Sequence, residues 1–318
     1  MISVDNKEYR LLFDRTDTTF LRGLSILAIV IHHIYQFTSY VYGITYPSAL
    51  NLLFSSFGYM GVSVFFMLSG YGLTCSVKKN APITKTYIIS HLTKLIEPFI
   101  YVWILDLLFF YTSPNESLIN LISLSLSNNE LWFLKEIFIL YLLYLLPFII
   151  YRNHSQAIII PLLLSTLFAI IVSFIATPSY WWNSTLCFPL GILCSLRKDN
   201  IDLIYKKHRY SLCFLFAVLF TVSYFLSYHY ILVEILRSIS FAILAILLVT
   251  FRKHRISCFE ILSVESLKIY IFHVFLLQFC TKVNYLLFIA LIIFGTAALV
   301  YSYNLIYKNL SHWLMKRY

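Results

Sequence analysis

Residues 21–41 read LRGLSILAIVIHHIYQFTSYV. One arginine stands at the start, no acid follows, and the run is about as long as a helix needs to cross a bilayer. Two histidines, His32 and His33, lie well inside it. The pattern recurs outward along the chain. Ten apolar segments are predicted to be helices: 22–41, 52–77, 88–111, 131–151, 155–176, 180–196, 210–228, 231–251, 266–282 and 285–307. As a single helix, 210–251 would span about 60 Å, so a turn near Ser227–Tyr230 is expected to make it a hairpin.

Composition agrees. Of 318 residues, 60% are apolar and 12% charged, with 28 Phe and 25 Tyr, and the mean hydropathy is +0.80. A soluble domain carries about twice that share of charge. A soluble enzyme, a disordered chain and a secreted disulfide scaffold are excluded. The six cysteines form no CxxC pair and read as small apolar fillers, so no metal site and no disulfide frame are expected.

The formal net charge is +10. Lys78, Lys79 and Lys85 follow the second segment, and Arg152 the fourth. Arg197, Lys198, Lys206, Lys207 and Arg209 follow the sixth; Arg252, Lys253 and Arg255 the eighth; Lys308, Lys316 and Arg317 the tenth. Only Lys135, Arg237 and Lys282 fall at the opposite ends. The asymmetry predicts cytoplasmic loops and places both termini in the cytoplasm; no nucleic-acid partner is expected. The expected fold is all-α, a polytopic integral membrane protein with about ten transmembrane helices. It forms one membrane domain over 1–318: a short segment 1–20 with no cleavable leader, helices over about 22–307, and a tail 308–318.

Ionisable groups at bilayer depth are costly, so each is a candidate functional group. Arg22 and His33 are eleven residues apart, close to three turns, and share a face, with His33 about 16 Å deeper. His32 points roughly 100° away. The alternative makes His33 an interhelix hydrogen-bond partner and Arg22 a topology anchor. In the second segment, GYMGVSVFFMLSGYGL (58–73), Gly58, Gly61, Gly70 and Gly72 suit close helix packing, and Ser69 is a candidate for lining a cavity. In the third, His91, Lys94 and Glu97 share one side, and Pro98 is expected to kink or end the first turns. Such a basic cluster suits a phosphate-bearing ligand, and equally topology alone. Asp106 lies deeper and needs a partner, a cation or a hydroxyl. Trp132 is a pocket candidate or an interfacial anchor. Glu234 and Arg237 read as an internal ion pair. His273, seven residues past Ser266, is a second pocket candidate, with an interhelix hydrogen bond as the alternative.

Together these segments resemble the membrane-bound acyltransferase family 3, over about residues 17–307. LRGLSILAIVIHH looks like that family's Arg-x10-His first helix, and GVSVFFMLSGYGL like its second-helix signature. HLTKLIEPF is similar to its basic third-helix element, ELWFLKEIFILYLLYLL to its Trp-Phe-Leu helix, and SLKIYIFH to its late Ser-Leu-x-Ile-Tyr-x-x-His segment.

The resemblance implies transfer of an acyl group, most often acetyl from acetyl-CoA, to a hydroxyl of a bacterial cell-surface glycan such as O-antigen, capsule or exopolysaccharide. It implies an enzyme of the bacterial inner membrane with acyl-CoA, a glycan or lipid-linked glycan and the bilayer as partners, and no bound cofactor. By position, His33 and Arg22 fall at the family's essential pair, and Lys94 at a donor-binding basic site. His91 stands where arginine is usual, a departure, because a neutral imidazole cannot grip phosphate as a guanidinium does. On this reading His33 is a general base or a transient acyl carrier, Arg22 and Lys94 hold the donor, and Ser69, His273 and Trp132 line the pocket. The competing reading is a flippase or transporter of a lipid-linked glycan precursor, which would often show repeated halves; none is visible.

Overall fold

The computed structural model describes residues 11–80, 82–110, 113–151, 158–175, 178–226, 230–252, 254 and 256–315, with side chains described as far as 309. Every predicted apolar segment is helical over most of its length. The helices are α1 (Arg15–Tyr40), α2 (Ser48–Lys79), α3 (Lys85–Phe109), α4 (Pro114–Ile122), α5 (Trp132–Leu145), α6 (Pro147–Ile150) and α7 (Ile159–Ile175). They continue as α8 (Cys187–Leu196), α9 (Lys198–Leu226), α10 (Ile231–Val249), α11 (Cys258–Val264), α12 (Ser266–Leu277), α13 (Tyr285–Ala290) and α14 (Thr296–Met315). No strand forms among the described residues; one isolated bridge joins Ser125 to Glu130.

Local chemistry sets the boundaries. The Asp14 carboxylate accepts from the Thr16 amide and starts α1, and the Thr84 hydroxyl accepts from the Tyr87 amide and starts α3. Ser113 and Glu116 form a capping box at α4, inside the predicted outer loop 112–130. Pro147 separates α5 from α6 within the predicted segment 131–151.

Four local expectations differ. The segment 180–196 is helical only from Cys187, because Ser179–Trp181 forms a 3-10 turn and the chain then runs irregularly into α8. The basic stretch 197–209 is helix, not loop: α9 begins at Lys198 and bends at His208, whose backbone leaves helical geometry (φ −128°, ψ 21°). Long charged side chains are good helix formers, so a polar turn extends the apolar helix. Pro98 does not end α3, which runs through it. Gly72 faces open space, so it does not serve the close packing assigned to it. The expected turn at Ser227–Tyr230 falls largely on 227–229, outside the described residues, as do Arg152, Lys253, Arg255, Lys316 and Arg317.

Six described helices are long and apolar enough to cross a membrane: α1, α2, the α5–α6 unit, α9, α10 and the continuous run Tyr285–Asn309. Three shorter apolar helices, α7, α8 and α12, lie among them. Large apolar side chains face outward, including Leu108 (74% exposed), Phe214 (74%) and Phe294 (72%). Patches of this kind are rare on soluble monomers and suit contact with lipid.

The centre is built on α1, α2, α8 and α12. Phe66, Met67, Phe188, Ile271 and Phe272 are fully buried. Lipid tails are as apolar as these residues, so helix association rests on close packing. Gly70 and Gly191 supply it: a Cβ at Gly70 would land on the Phe188 carbonyl oxygen, and one at Gly191 on the Met67 carbonyl oxygen. One polar pair ties the bundle further: buried Asp17 on α1 meets Arg252 at 3.3 Å. Within α10, half-buried Glu234 meets Arg237 at 3.9 Å, the internal pair the sequence indicates.

Candidate functional site

Adjacent histidines on α1 point to different helices. His32 places Nδ1 2.9 Å from the Phe54 carbonyl oxygen on α2. Gly58 makes room for the ring, since a Cβ there would lie 2.7 Å from His32 Cδ2. His33 turns to α12, with Nδ1 2.7 Å from Nε2 of His273. His273 is fully buried, and its own Nδ1 lies 2.7 Å from the Ile269 carbonyl oxygen.

This chain of bonds fixes a tautomer. A carbonyl oxygen only accepts, so His273 Nδ1 carries the proton and its Nε2 is the acceptor. His33 Nδ1 therefore donates, which leaves His33 Nε2 with a lone pair. A base oriented by a second buried histidine results.

His33 lines a cavity of about 500 Å³. Beside aliphatic residues such as Ile29, Val62 and Leu277, its walls carry His32, Gln36, Asn128, Asn129, Glu130 and Asn183, with Tyr40, Tyr59, Trp132 and Tyr180. Trp132 packs near Tyr180, with ring centroids 5.2 Å apart. A second cavity, about 140 Å³, is lined by Arg22, Ser69, Tyr141 and Ser266 among apolar residues such as Ile26, Phe65 and Phe133. Ile29 and Tyr270 line both cavities, which adjoin at these two residues. Tyr270 is 3% exposed, and its ring centroid lies 5.1 Å from Phe133 and 5.7 Å from His273.

The predicted site residues are thus distributed. His33, His273 and Trp132 meet at or beside the wide cavity. Arg22 and Ser69 meet in the narrow one. Arg22 and His33 share a helix face but open onto different cavities. Lys94 is exposed and lines neither; its neighbour Leu95 lines the narrow one. His91 packs tilted against Tyr87 (centroids 4.1 Å, planes at 33°) and places Nδ1 2.8 Å from the Tyr87 carbonyl oxygen, so it is engaged within α3.

Sequence reasoning passed over Gln36, Asn128, Asn129, Asn183, Tyr141 and Tyr270. Gln36 had a signal, three residues past His33 on the same helix face. Tyr270 lies three residues before His273 and was legible the same way. The asparagines lie in irregular segments with no periodicity to mark a direction. Glu136 was also passed over. It is fully buried and accepts from the Thr185 hydroxyl, and its other oxygen has no hydrogen-bond partner among the described residues.

An apolar helical bundle with six helices long enough to cross a bilayer, and an oriented histidine on an internal cavity, defines a membrane protein with a candidate site inside the bundle. Residues 17–307 match the family described as "Acyltransferase domain", acyltransferase family 3, and the chain belongs to that family. No curated protein matches the chain, and no solved structure does.

Proposed function

We propose that the protein transfers an acyl group, acetyl from acetyl-CoA, to a hydroxyl of a bacterial cell-surface glycan, working in the inner membrane with about ten crossings and both termini in the cytoplasm. The observation that carries this reading is His33, its Nδ1 held by His273 at 2.7 Å while the residue lines the 500 Å³ cavity. That cavity suits a sugar. Amide and carboxylate groups of Gln36, Asn128, Asn129, Asn183 and Glu130 offer hydrogen bonds to hydroxyls, and Trp132 and Tyr180 offer flat faces.

The narrow cavity suits the acyl end of the donor. Its volume, about 140 Å³, is too small for a nucleotide but admits a thioester and a short acyl group. Arg22 lines it and supplies positive charge for the donor, with exposed Lys94, beside the cavity-lining Leu95, to meet phosphate outside it. His91 is a weaker donor contact, being engaged by Tyr87.

The reaction balances without a cofactor. Where the two cavities adjoin, the glycan hydroxyl oxygen attacks the thioester carbonyl carbon while its proton passes to His33 Nε2. The carbon–sulfur bond breaks, and the CoA thiolate leaves and takes the proton back. His273 acts through His33 and is a positioning residue.

Labelled acetyl-CoA, incubated with membranes holding the protein or His33→Ala at matched level, tests this. Label should enter envelope glycan only with the intact protein. Incorporation that survives the substitution would remove His33 from the chemistry. No incorporation with the intact protein, together with movement of a lipid-linked glycan across the membrane, would favour the transporter reading.

A further inference from the structure

Asp106 lies on α3, away from both cavities' linings, and is 1% exposed. A buried carboxylate needs partners, and Asp106 spends its oxygens on one loop and one helix. Its Oδ2 accepts from the Ser127 amide at 2.9 Å and from the Ser127 hydroxyl at 2.5 Å. Its Oδ1 accepts from Gln278 Nε2 at 2.9 Å. Gln278, one residue past the end of α12 and 7% exposed, uses its Oε1 to accept from the Asn128 amide at 3.1 Å. Asn129 Nδ2 donates to the Val274 carbonyl at 3.2 Å. The loop also closes on itself: the Leu126 amide donates to the Asn129 carbonyl at 2.9 Å, and Ser125 bridges to Glu130.

Asn128, Asn129 and Glu130 are consecutive walls of the His33 cavity. Gln278 and Val274 belong to the same helical run as His273. One carboxylate therefore joins the loop that walls the cavity to the helix that orients the base.

We propose that Asp106 and Gln278 form a latch that holds the Asn128–Glu130 loop as the acceptor-binding wall of the His33 cavity, so that both are positioning residues for the acyl acceptor. This rests on the reading of that cavity as the acceptor site. The latch has a directional pattern: the carboxylate at position 106 accepts three times, and the amide at position 278 donates once and accepts once.

The pattern can be inverted. Asp106→Asn must turn one NH2 toward Gln278 or Ser127, where a donor already stands. Gln278→Glu sets two carboxylates against each other. The pair D106N/Q278E restores every bond. The carboxylate now at position 278 accepts from both the side-chain amide at position 106 and the Asn128 backbone. The amide oxygen at position 106 still accepts from Ser127.

The experiment uses the full chain in membranes and in detergent, as wild type, both single variants and the double. The first readout is hydrogen exchange of residues 123–131, which does not depend on any reaction. The second is KM and kcat with an envelope glycan fraction titrated at saturating labelled acetyl-CoA. Each single variant should speed exchange in the loop and raise KM for the glycan fraction about tenfold, the scale of one lost charged hydrogen bond, with kcat and KM for acetyl-CoA unchanged. The double variant should recover both. Exchange unchanged in the single variants overturns the latch. Faster exchange with an unchanged glycan KM, or equal losses against both substrates, overturns its positioning role. A double variant no better than the singles overturns the bond pattern. A wild-type protein that transfers no label defeats the glycan-acetylation reading instead, while loop exchange still decides the latch.

Discussion

Nδ1 of His33 lies 2.7 Å from Nε2 of His273, across a helix interface that joins residues 240 positions apart in the chain. The Ile269 carbonyl behind His273 sets the direction of both protons, so the pair has one neutral arrangement and one free base nitrogen.

Removing the base and removing its support should therefore differ. His33→Ala should lower kcat for transfer by about 10²–10⁴-fold, the range of a general base. His273→Ala should cost less. His273→Gln, which can still accept from His33 Nδ1, should recover part of that loss. Steady-state transfer at matched protein levels measures all three; equal losses for both His273 variants would mean the orienting bond does nothing.

The junction of the cavities predicts leakage. Tyr270→Phe keeps the ring at that junction, whereas Tyr270→Ala widens it. Free CoA released without acylated acceptor should rise several-fold in the alanine variant only, because water then reaches the thioester. Thiol release assayed beside product formation gives the ratio.

Donor contacts should separate by location. Arg22→Ala should raise KM for acetyl-CoA by about tenfold, the scale of a charged hydrogen bond, while acceptor KM holds. Lys94→Ala should do less, because Lys94 is exposed and outside the cavity. A reversed order, read from donor titrations, would move the donor site onto α3.

Glycines of the second helix should divide by what surrounds them. Gly70→Ala forces α2 away from α8 and should lower stability by about 1–3 kcal/mol, the usual cost of overpacking. Gly72→Ala meets open space and should not destabilise, gaining up to about 1 kcal/mol from helix propensity. Thermal unfolding in detergent compares them directly.

Much of this protein was readable before its fold. An apolar run of sufficient length becomes a helix whatever surrounds it, so the helical segments could be located from residue order. Arg22, His33 and His273 also stood out, because a polar group inside such a run has to be explained locally. The bend at His208 and the late start of α8 were not readable, since both reflect where a helix finds neighbours.

The sequence by itself determined the membrane class and which side chains are candidates for chemistry. Helical periodicity gives a direction around one axis, but not how one helix is rotated against another. Only the tertiary structure decided that His33 meets His273, that Arg22 opens onto another cavity, and that Tyr270 lines both. It also decided that Asp106 finds its hydroxyl in Ser127, 21 residues on, because irregular loops carry no period from which such a meeting could be calculated.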